Sequence, residues 1–278
     1  MASWTNATPA PAPGVLRPAA TARQSELRRE YPVHPALRPF VERYWSVRWD
    51  RRGAAPFRSE VLTHPSVNLA VESGDAPRHG GHTLPAALVH GVVTRRFVID
   101  LTGWGRVSAV KFRPGGFRAY RGEPAAPDTV RRLADGDALV RAVLRPDEDD
   151  LRIAALDAAL DAALVARVPE PEPEYLLLTE VLTTMAGCRE LTRVEHVAAA
   201  CGLSTRSLQR LFRRWVGVGP KWVLARHRLW DATAAIDAGG VADLAALATG
   251  LGWFDQAHFS RDFRSMAGCT PSEYLTRR

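Results

Sequence analysis

Apolar and polar positions follow two different rhythms along the chain. Between Tyr31 and about Ala126, short apolar stretches recur, among them Val61-Leu62, Val67-Asn68-Leu69-Ala70-Val71, Ala87-Leu88-Val89 and Val107-Ser108-Ala109-Val110-Lys111-Phe112. Gly, Pro, Asp and Ser clusters separate them, which predicts a β-rich unit of short strands and turns. Leu37 to Trp45 reads as a helix packed against that unit. From Thr129 to Ala166 the period lengthens, and Leu156, Leu160, Ala163 and Leu164 share one helical face. The alternation Pro169-Glu170-Pro171-Glu172-Pro173-Glu174 favours an extended spacer. Everything from Tyr175 to Arg278 then reads as helical. The expected organisation is α+β: a disordered Pro/Ala-rich tail over 1–28, a β-rich, barrel-like sensor or dimerisation unit with helices over 29–167, a linker over 168–174, and an all-α unit over 175–278.

The helical unit contains a repeat. Val197-Ala198-Ala199-Ala200-Cys201-Gly202-Leu203 matches Ala245-Ala246-Leu247-Ala248-Thr249-Gly250-Leu251 at an offset of 48. At an offset of 51, Leu208 matches Phe259, Arg210 matches Arg261, Phe212 matches Phe263, Gly217 matches Gly268 and Pro220 matches Pro271. The second copy is thus expected to carry three extra residues in its turn. Each copy reads helix, glycine turn, helix, the pattern in which the second helix enters the major groove of DNA. Gly202 can take the positive φ needed to leave a helix, and Ser204 and Asp255 are N-cap candidates for the second helices.

The faces of those second helices sort by chemistry. Leu208, Leu211, Phe212 and Trp215 form an apolar stripe, while Arg206, Gln209, Arg210 and Arg213 recur at the same spacing on the other side. In the second copy Phe259, Phe263 and Met266 are the buried set, and Ala257, His258, Arg261, Arg264 and Ser265 face away. Arginine and glutamine read guanine and adenine edges bidentately. A solvated surface helix can also carry such residues, but two copies with a glycine turn and a basic outer face favour DNA.

The stretch Gly250-Leu251-Gly252-Trp253-Phe254-Asp255-Gln256-Ala257-His258-Phe259-Ser260-Arg261-Asp262-Phe263-Arg264, followed by Gly268-Cys269-Thr270-Pro271-Ser272-Glu273-Tyr274, resembles the AraC-type transcriptional regulators. The resemblance covers about residues 175–278. It implies about seven helices, with a long helix from Pro220 to about Ala238 joining two helix-turn-helix motifs. It also implies base contacts from Arg206, Gln209 and Arg210 in the first motif and from Gln256, His258 and Arg261 in the second. Phosphate contacts would come from Arg213, Arg214, Arg264 and the helix N-terminus at Ser204 and Thr205. Ala257 stands where the family often has a polar residue, which thins the second reading surface. Tyr44-Trp45-Ser46-Val47, Glu60 to Leu69 and Gly105 to Phe117 resemble an uncharacterised domain found ahead of this unit in bacterial regulators. Other family members carry a cupin-like, effector-binding barrel there. The implied function is sequence-specific regulation of transcription, as activator or repressor. The implied partners are double-stranded DNA, a small-molecule effector, RNA polymerase and a second copy of the chain.

Composition sharpens this picture in a few places. The net charge is +7, and 13 Lys+Arg against 9 Asp+Glu fall in residues 175–278, so the basic excess is denser there. Of the basic residues only Lys111 and Lys221 are lysines; a GC-rich genome explains that as readily as phosphate recognition does. No apolar run is long enough for a membrane span, and residues 1–22 lack a signal-peptide pattern, so a cytoplasmic protein is expected. Cys188, Cys201 and Cys269 are too scattered for a disulfide framework. A DNA-repair alkyltransfer enzyme on the same DNA-binding unit would need a cysteine-rich module, and residues 1–174 contain no cysteine. No nucleophile–base pair has motif spacing, and no cofactor is expected. The third alternative is a ligand-binding protein whose helical unit has lost DNA affinity. His79 and His82 form an HxxH with His90 nearby, but Arg78-His79-Gly80-Gly81-His82 reads as a turn and no metal is expected there. His64 and Lys111 read as strand residues that could face a pocket. Leu156, Leu160 and Leu164 admit either a dimer seam or packing on their own unit.

Overall fold

The computed structural model describes residues 15–16, 25–28, 32–144, 152–188, 190–239, 241 and 243–276. Nine strands form two antiparallel sheets among these residues. The smaller has the order β1 (Val15–Leu16), β4 (Phe57–Val61), β7 (Phe97–Leu101). The larger has the order β2 (Glu26–Arg28), β3 (Val41–Arg51), β8 (Gly103–Phe112), β5 (Asn68–Gly74), β6 (Ala86–His90), β9 (Val130–Arg132). Two strands, β1 and β2, thus lie in the segment expected to be a tail; most of the rest of it is outside the described residues.

Three sequence readings are corrected here. Leu37–Trp45 is not a helix: a single 3-10 turn at Pro35–Leu37 leads into β3. The β-branched and aromatic run Val41, Tyr44, Trp45, Val47, Trp49 favours a pleated, half-buried strand. Its long antiparallel pairing with β8, Arg43 opposite Lys111 through Arg51 opposite Gly103, decides the matter. Likewise Val130–Arg132 adds β9 to the edge of the sheet before helix begins. The linker is also shorter than expected, because Pro173 is the first residue of a helix, where a missing N–H costs nothing.

Strand alternation divides the large sheet into two faces. Trp49, Ala70, Val107 and Ala109 pack toward the small sheet with Leu101 of β7. Leu69, Val71, Val89, Val110 and Phe112 point the other way, into a second core. That core is covered by α1 (Gly116–Arg121), α2 (Gly136–Val143) and α3 (Arg152–Val165). Leu160 and Leu164 of α3 are buried there, and Tyr44 Oη donates to Asp161 Oδ1 at 2.7 Å. Those two leucines are therefore used inside their own unit; the side chain of Leu156 is outside the described residues.

Among the described residues, seven helices follow from Pro173: α4 (Pro173–Gly187), α5 (Val194–Ala200), α6 (Thr205–Trp215), α7 (Pro220–Ala238), α8 (Leu244–Gly250), α9 (Gln256–Ala267) and α10 (Pro271–Thr276). They do not hang from a free linker. Tyr175, Leu178, Leu208, Phe212 and Trp215 belong to the same continuous core as Phe40, Phe112 and Phe117. Tyr175 stacks on Phe40 at 5.9 Å and its hydroxyl donates to Pro39 O at 2.6 Å. Burial raises the Tyr175 hydroxyl far above the usual tyrosine range. The half around α8–α10 has its own core, which includes Leu62 from beyond β4.

Candidate nucleic-acid interface

The two motifs are built alike. In the first, α5 ends at Ala200, Gly202 takes φ +64, and Leu203 N donates to Ala198 O at 2.8 Å. In the second, α8 ends at Gly250, Gly252 takes φ +84, and Trp253 N donates to Ala248 O at 2.9 Å. This is the left-handed exit by which helices commonly end on glycine. The structural equivalence across the first helices and turns is therefore an offset of 50, not 48. The N-caps Ser204 and Asp255 stand at 51, so the second turn is longer by one residue, not three. The inserted residue is Phe254, which is 89% exposed.

Each second helix is started by its cap. Ser204 Oγ accepts from Ser207 N at 3.1 Å, and Asp255 Oδ1 accepts from His258 N at 2.6 Å. A side-chain cap of this kind is worth about 1 kcal/mol. The apolar stripes then fix rotation about the helix axis. Leu208, Leu211, Phe212 and Trp215 bury one side of α6; Phe259, Phe263 and Met266 bury one side of α9. What remains outward on α6 is Arg206, Gln209, Arg210, Arg213 and Arg214, all exposed, with Ser204 exposed and Thr205 half-buried at its start. On α9 the outward set is Gln256, Ala257, Arg261, Arg264 and Ser265.

Two of the residues expected to contact DNA are already engaged. His258 is half-buried, and its Nε2 lies 3.4 Å from Asp262 Oδ2, which also accepts from Trp253 Nε1 at 2.9 Å. Arg214 Nη1 lies 2.9 Å from Glu174 Oε2, which also accepts from Trp215 Nε1 at 3.1 Å. In addition, the Arg214 carbonyl accepts from Arg118 of the β-rich unit at 2.9 Å. Arg214 thus ties α6 to α4 and to α1.

Helix α7 is clamped by both units. Arg226 is fully buried, and its Nη2 donates to Val93 O and Arg95 O, both at 3.0 Å. The guanidinium also lies 4.7 Å over the Trp222 ring, and burial lowers its pKa to about 10. One turn on, the Trp230 ring meets His64 at 3.8 Å. Burial, then the positive charges of Lys111, His227, Arg43 and Arg226, lower the His64 pKa to about 2. Toward the second motif, Arg228 Nη1 donates to Gly252 O at 2.9 Å and Tyr274 Oη bonds Asp237 at 3.1 Å. Sequence reasoning passed over Arg226 because an arginine reads as a surface cation; its position between Val223, Leu224 and Leu229 was the available signal.

In the β-rich unit, Lys111 Nζ pairs with Glu42 at 2.8 Å. The turn Arg78–His82 closes on itself, with His82 N donating to Arg78 O at 2.9 Å. It does not bring the HxxH pair together: His82 Nε2 lies 3.3 Å from Val130 O, whereas His79 and His90 meet over Glu72. Glu72 escaped sequence reasoning, although a carboxylate at the end of the run Leu69-Ala70-Val71 is an anomaly that could have found it. Burial pushes its carboxyl up, but hydrogen bonds with His79 and His90 outweigh this and hold it at about 2.

Among the described residues, no helix is long and apolar enough to cross a membrane. Residues 29–133 match the family model described as Domain of unknown function (DUF6597), and residues 197–277 match the one described as Helix-turn-helix domain. A transcriptional regulator of the AraC-type DNA-binding domain-containing proteins from Chromobacterium violaceum is 25% identical, over 37% of this chain and 91% of its own, with TM-score 0.34. The C-terminal domain of AraT, a response regulator from Geobacillus stearothermophilus, is 19% identical over 40% of this chain and 89% of its own, with TM-score 0.35. ToxT from Vibrio cholerae is 10% identical over 91% of this chain and 98% of its own, with TM-score 0.41. Behind the domain of unknown function, the chain thus carries a helix-turn-helix domain, matched over residues 197–277.

Proposed function

We propose that the chain regulates transcription by reading double-stranded DNA in two major-groove segments, with α6 and α9 as the recognition helices. The observation that carries this reading is the exposed row Arg206, Gln209, Arg210 and Arg213, opposite a fully buried stripe on a capped helix. Helix α7 has 19 residues. At 1.5 Å per residue it is about 28 Å long, comparable with the roughly 34 Å between successive major-groove segments on one DNA face. Base readout is assigned to Arg206, Gln209 and Arg210 in the first motif and to Gln256 and Arg261 in the second. His258 contributes there once it leaves Asp262. Ser204, Thr205, Arg213 and Arg264 hold phosphates; Arg214 does so only by giving up Glu174. Phe254, at the start of α9, offers an apolar surface for a thymine methyl group.

The β-rich unit acts as the sensor, because its loops grip α7 and its core is continuous with α6. The test is selection of bound fragments from random duplex DNA with the full chain, followed by titration of the enriched site at several salt concentrations. An enriched site and affinity falling steeply with salt are expected. No enriched sequence, or equal loss of affinity for all sequences on changing Arg210 to alanine, would overturn the assignment of α6.

A further inference from the structure

Glu72 on β5, His90 at the end of β6 and His79 in the loop between them converge on the face of the large sheet that looks toward the small one. His90 Nε2 lies 2.9 Å from Glu72 Oε1, and His79 Nε2 lies 3.1 Å from both carboxylate oxygens. The three candidate ligand atoms lie within 4.8 Å of one another. The side chains are only 2%, 8% and 11% exposed for Glu72, His79 and His90. The two imidazoles are 4.7 Å apart and almost perpendicular, and the Phe97 ring of β7 lies 6.0 and 6.4 Å from them. Arg78 holds the other carboxylate oxygen, Oε2, at 3.1 Å and rests 4.6 Å over Trp49. Oε1 is left as the oxygen that both imidazoles approach.

We propose that Glu72, His79 and His90 bind a divalent transition-metal ion, Zn(II) being the reference case, with one coordination position left open. Two imidazoles and a carboxylate are the donor set of open zinc and non-haem iron sites; no thiolate is needed. Ligand atoms about 2.0–2.2 Å from a tetrahedral ion stand roughly 3.3–3.6 Å apart. Separations of 2.9 and 3.1 Å therefore need to widen by only a few tenths of an ångström. Arg78 supplies the outer contact that orients the carboxylate, as such partners commonly do. The open position would take water or a small anionic effector. The loop after His90 carries the Val93 and Arg95 carbonyls that hold Arg226, so occupancy bears on α7. That last link rests on the DNA-binding reading; metal binding does not.

The experiment uses the full chain, stripped with a chelator, dialysed and titrated with Zn(II) by calorimetry, without DNA. One equivalent per chain is expected. Glu72→Gln and His90→Ala should each weaken it at least about 100-fold, more than loss of an outer partner does. His82→Asn lies outside the cluster and should leave it unchanged. His79→Ala, in the loop, keeps the test decisive if a strand variant fails to fold by circular dichroism. Co(II) added to the stripped wild type should give the strong visible absorption of a low-coordinate site. Uptake well below one equivalent, or uptake that Glu72→Gln and His79→Ala leave intact, would overturn the proposal and leave the cluster a hydrogen-bonded ion group.

Discussion

Gly115 is the sharpest probe of whether the two units behave as one body. It sits at φ +79, and a Cβ added there would come 2.6 Å from Leu178 Cδ2, 3.3 Å from Tyr175 Cε2 and 3.4 Å from Trp215 Cβ. Leu178 and Tyr175 are wholly buried, so the junction cannot open cheaply. In Gly115→Ala the left-handed backbone costs about 1–2 kcal/mol, and overpacking a closed core adds about 1–3 kcal/mol. The expected loss is therefore about 2–5 kcal/mol, read as a lower urea midpoint at unchanged slope. Gly122→Ala is the matched control: φ is +74, but nothing lies within 4 Å of the new Cβ. It should show the backbone cost alone. Equal loss in the two variants would refute the claim that α4 and α6 share a core with the β-rich unit.

Other outcomes follow from single residues. On the selected DNA site, Arg210→Ala should cost about 1–3 kcal/mol and relax one base pair, as measured by competition with single-base variants. Phe254→Ala should weaken binding at one A·T position while leaving the urea midpoint unchanged, because the ring is exposed. Asp255→Ala should cost about 1 kcal/mol of stability through the lost cap on His258 N. For pH, His64 in the folded chain is held well below its ordinary 6.5 by burial and nearby positive charge, so below that value only the unfolded chain takes up the proton. Stability should fall as pH drops from about 6.5, by at most about 1.4 kcal/mol per unit. His64→Phe should flatten the thermal-melting profile between pH 7 and 5.

The repeat was legible because its signals are local: a glycine that exits a helix, a polar cap, aromatics at helical spacing. Its register was not. The runs Val197-Ala198-Ala199-Ala200 and Ala245-Ala246-Leu247-Ala248 are so rich in alanine that several offsets match. Only the hydrogen bonds into Ala198 O and Ala248 O select 50. That correction reduces the insertion in the second turn to Phe254 alone and gives an exposed phenylalanine a place beside α9. Strand β3 was misread because Leu37 and Val41 repeat at helical spacing, whereas its pairing partner lies some sixty residues away in β8. Distance in sequence hides Arg226 in the same way: its partners are carbonyls 133 and 131 residues off. The partners of Glu72 are nearer, 7 and 18 residues on, but only the turn after β5 and the pairing of β5 with β6 bring the two imidazoles to it.

Those hidden partners have a shared consequence. Arg206, Arg210 and Arg213 on α6 are exposed and can be exchanged with little effect on the fold, because water replaces whatever they lose. Arg226 cannot: its loss would take a donor from the Arg95 carbonyl and leave the Val93 carbonyl only the longer bond from Thr63 Oγ1 at 3.4 Å, and a hydrogen bond to a charged group is worth about 1.5–3 kcal/mol. Val93 and Arg95 are thus held to α7 by bonds from a fully buried guanidinium, and α7 is the segment that spaces α6 from α9. Arg226→Met keeps much of the side chain's length but donates nothing. It should weaken binding to a two-segment site more than to a half-site containing only the α6 segment, measured by titration of both duplexes. Equal weakening on the two duplexes would mean that α7 spaces the motifs without help from the β-rich unit.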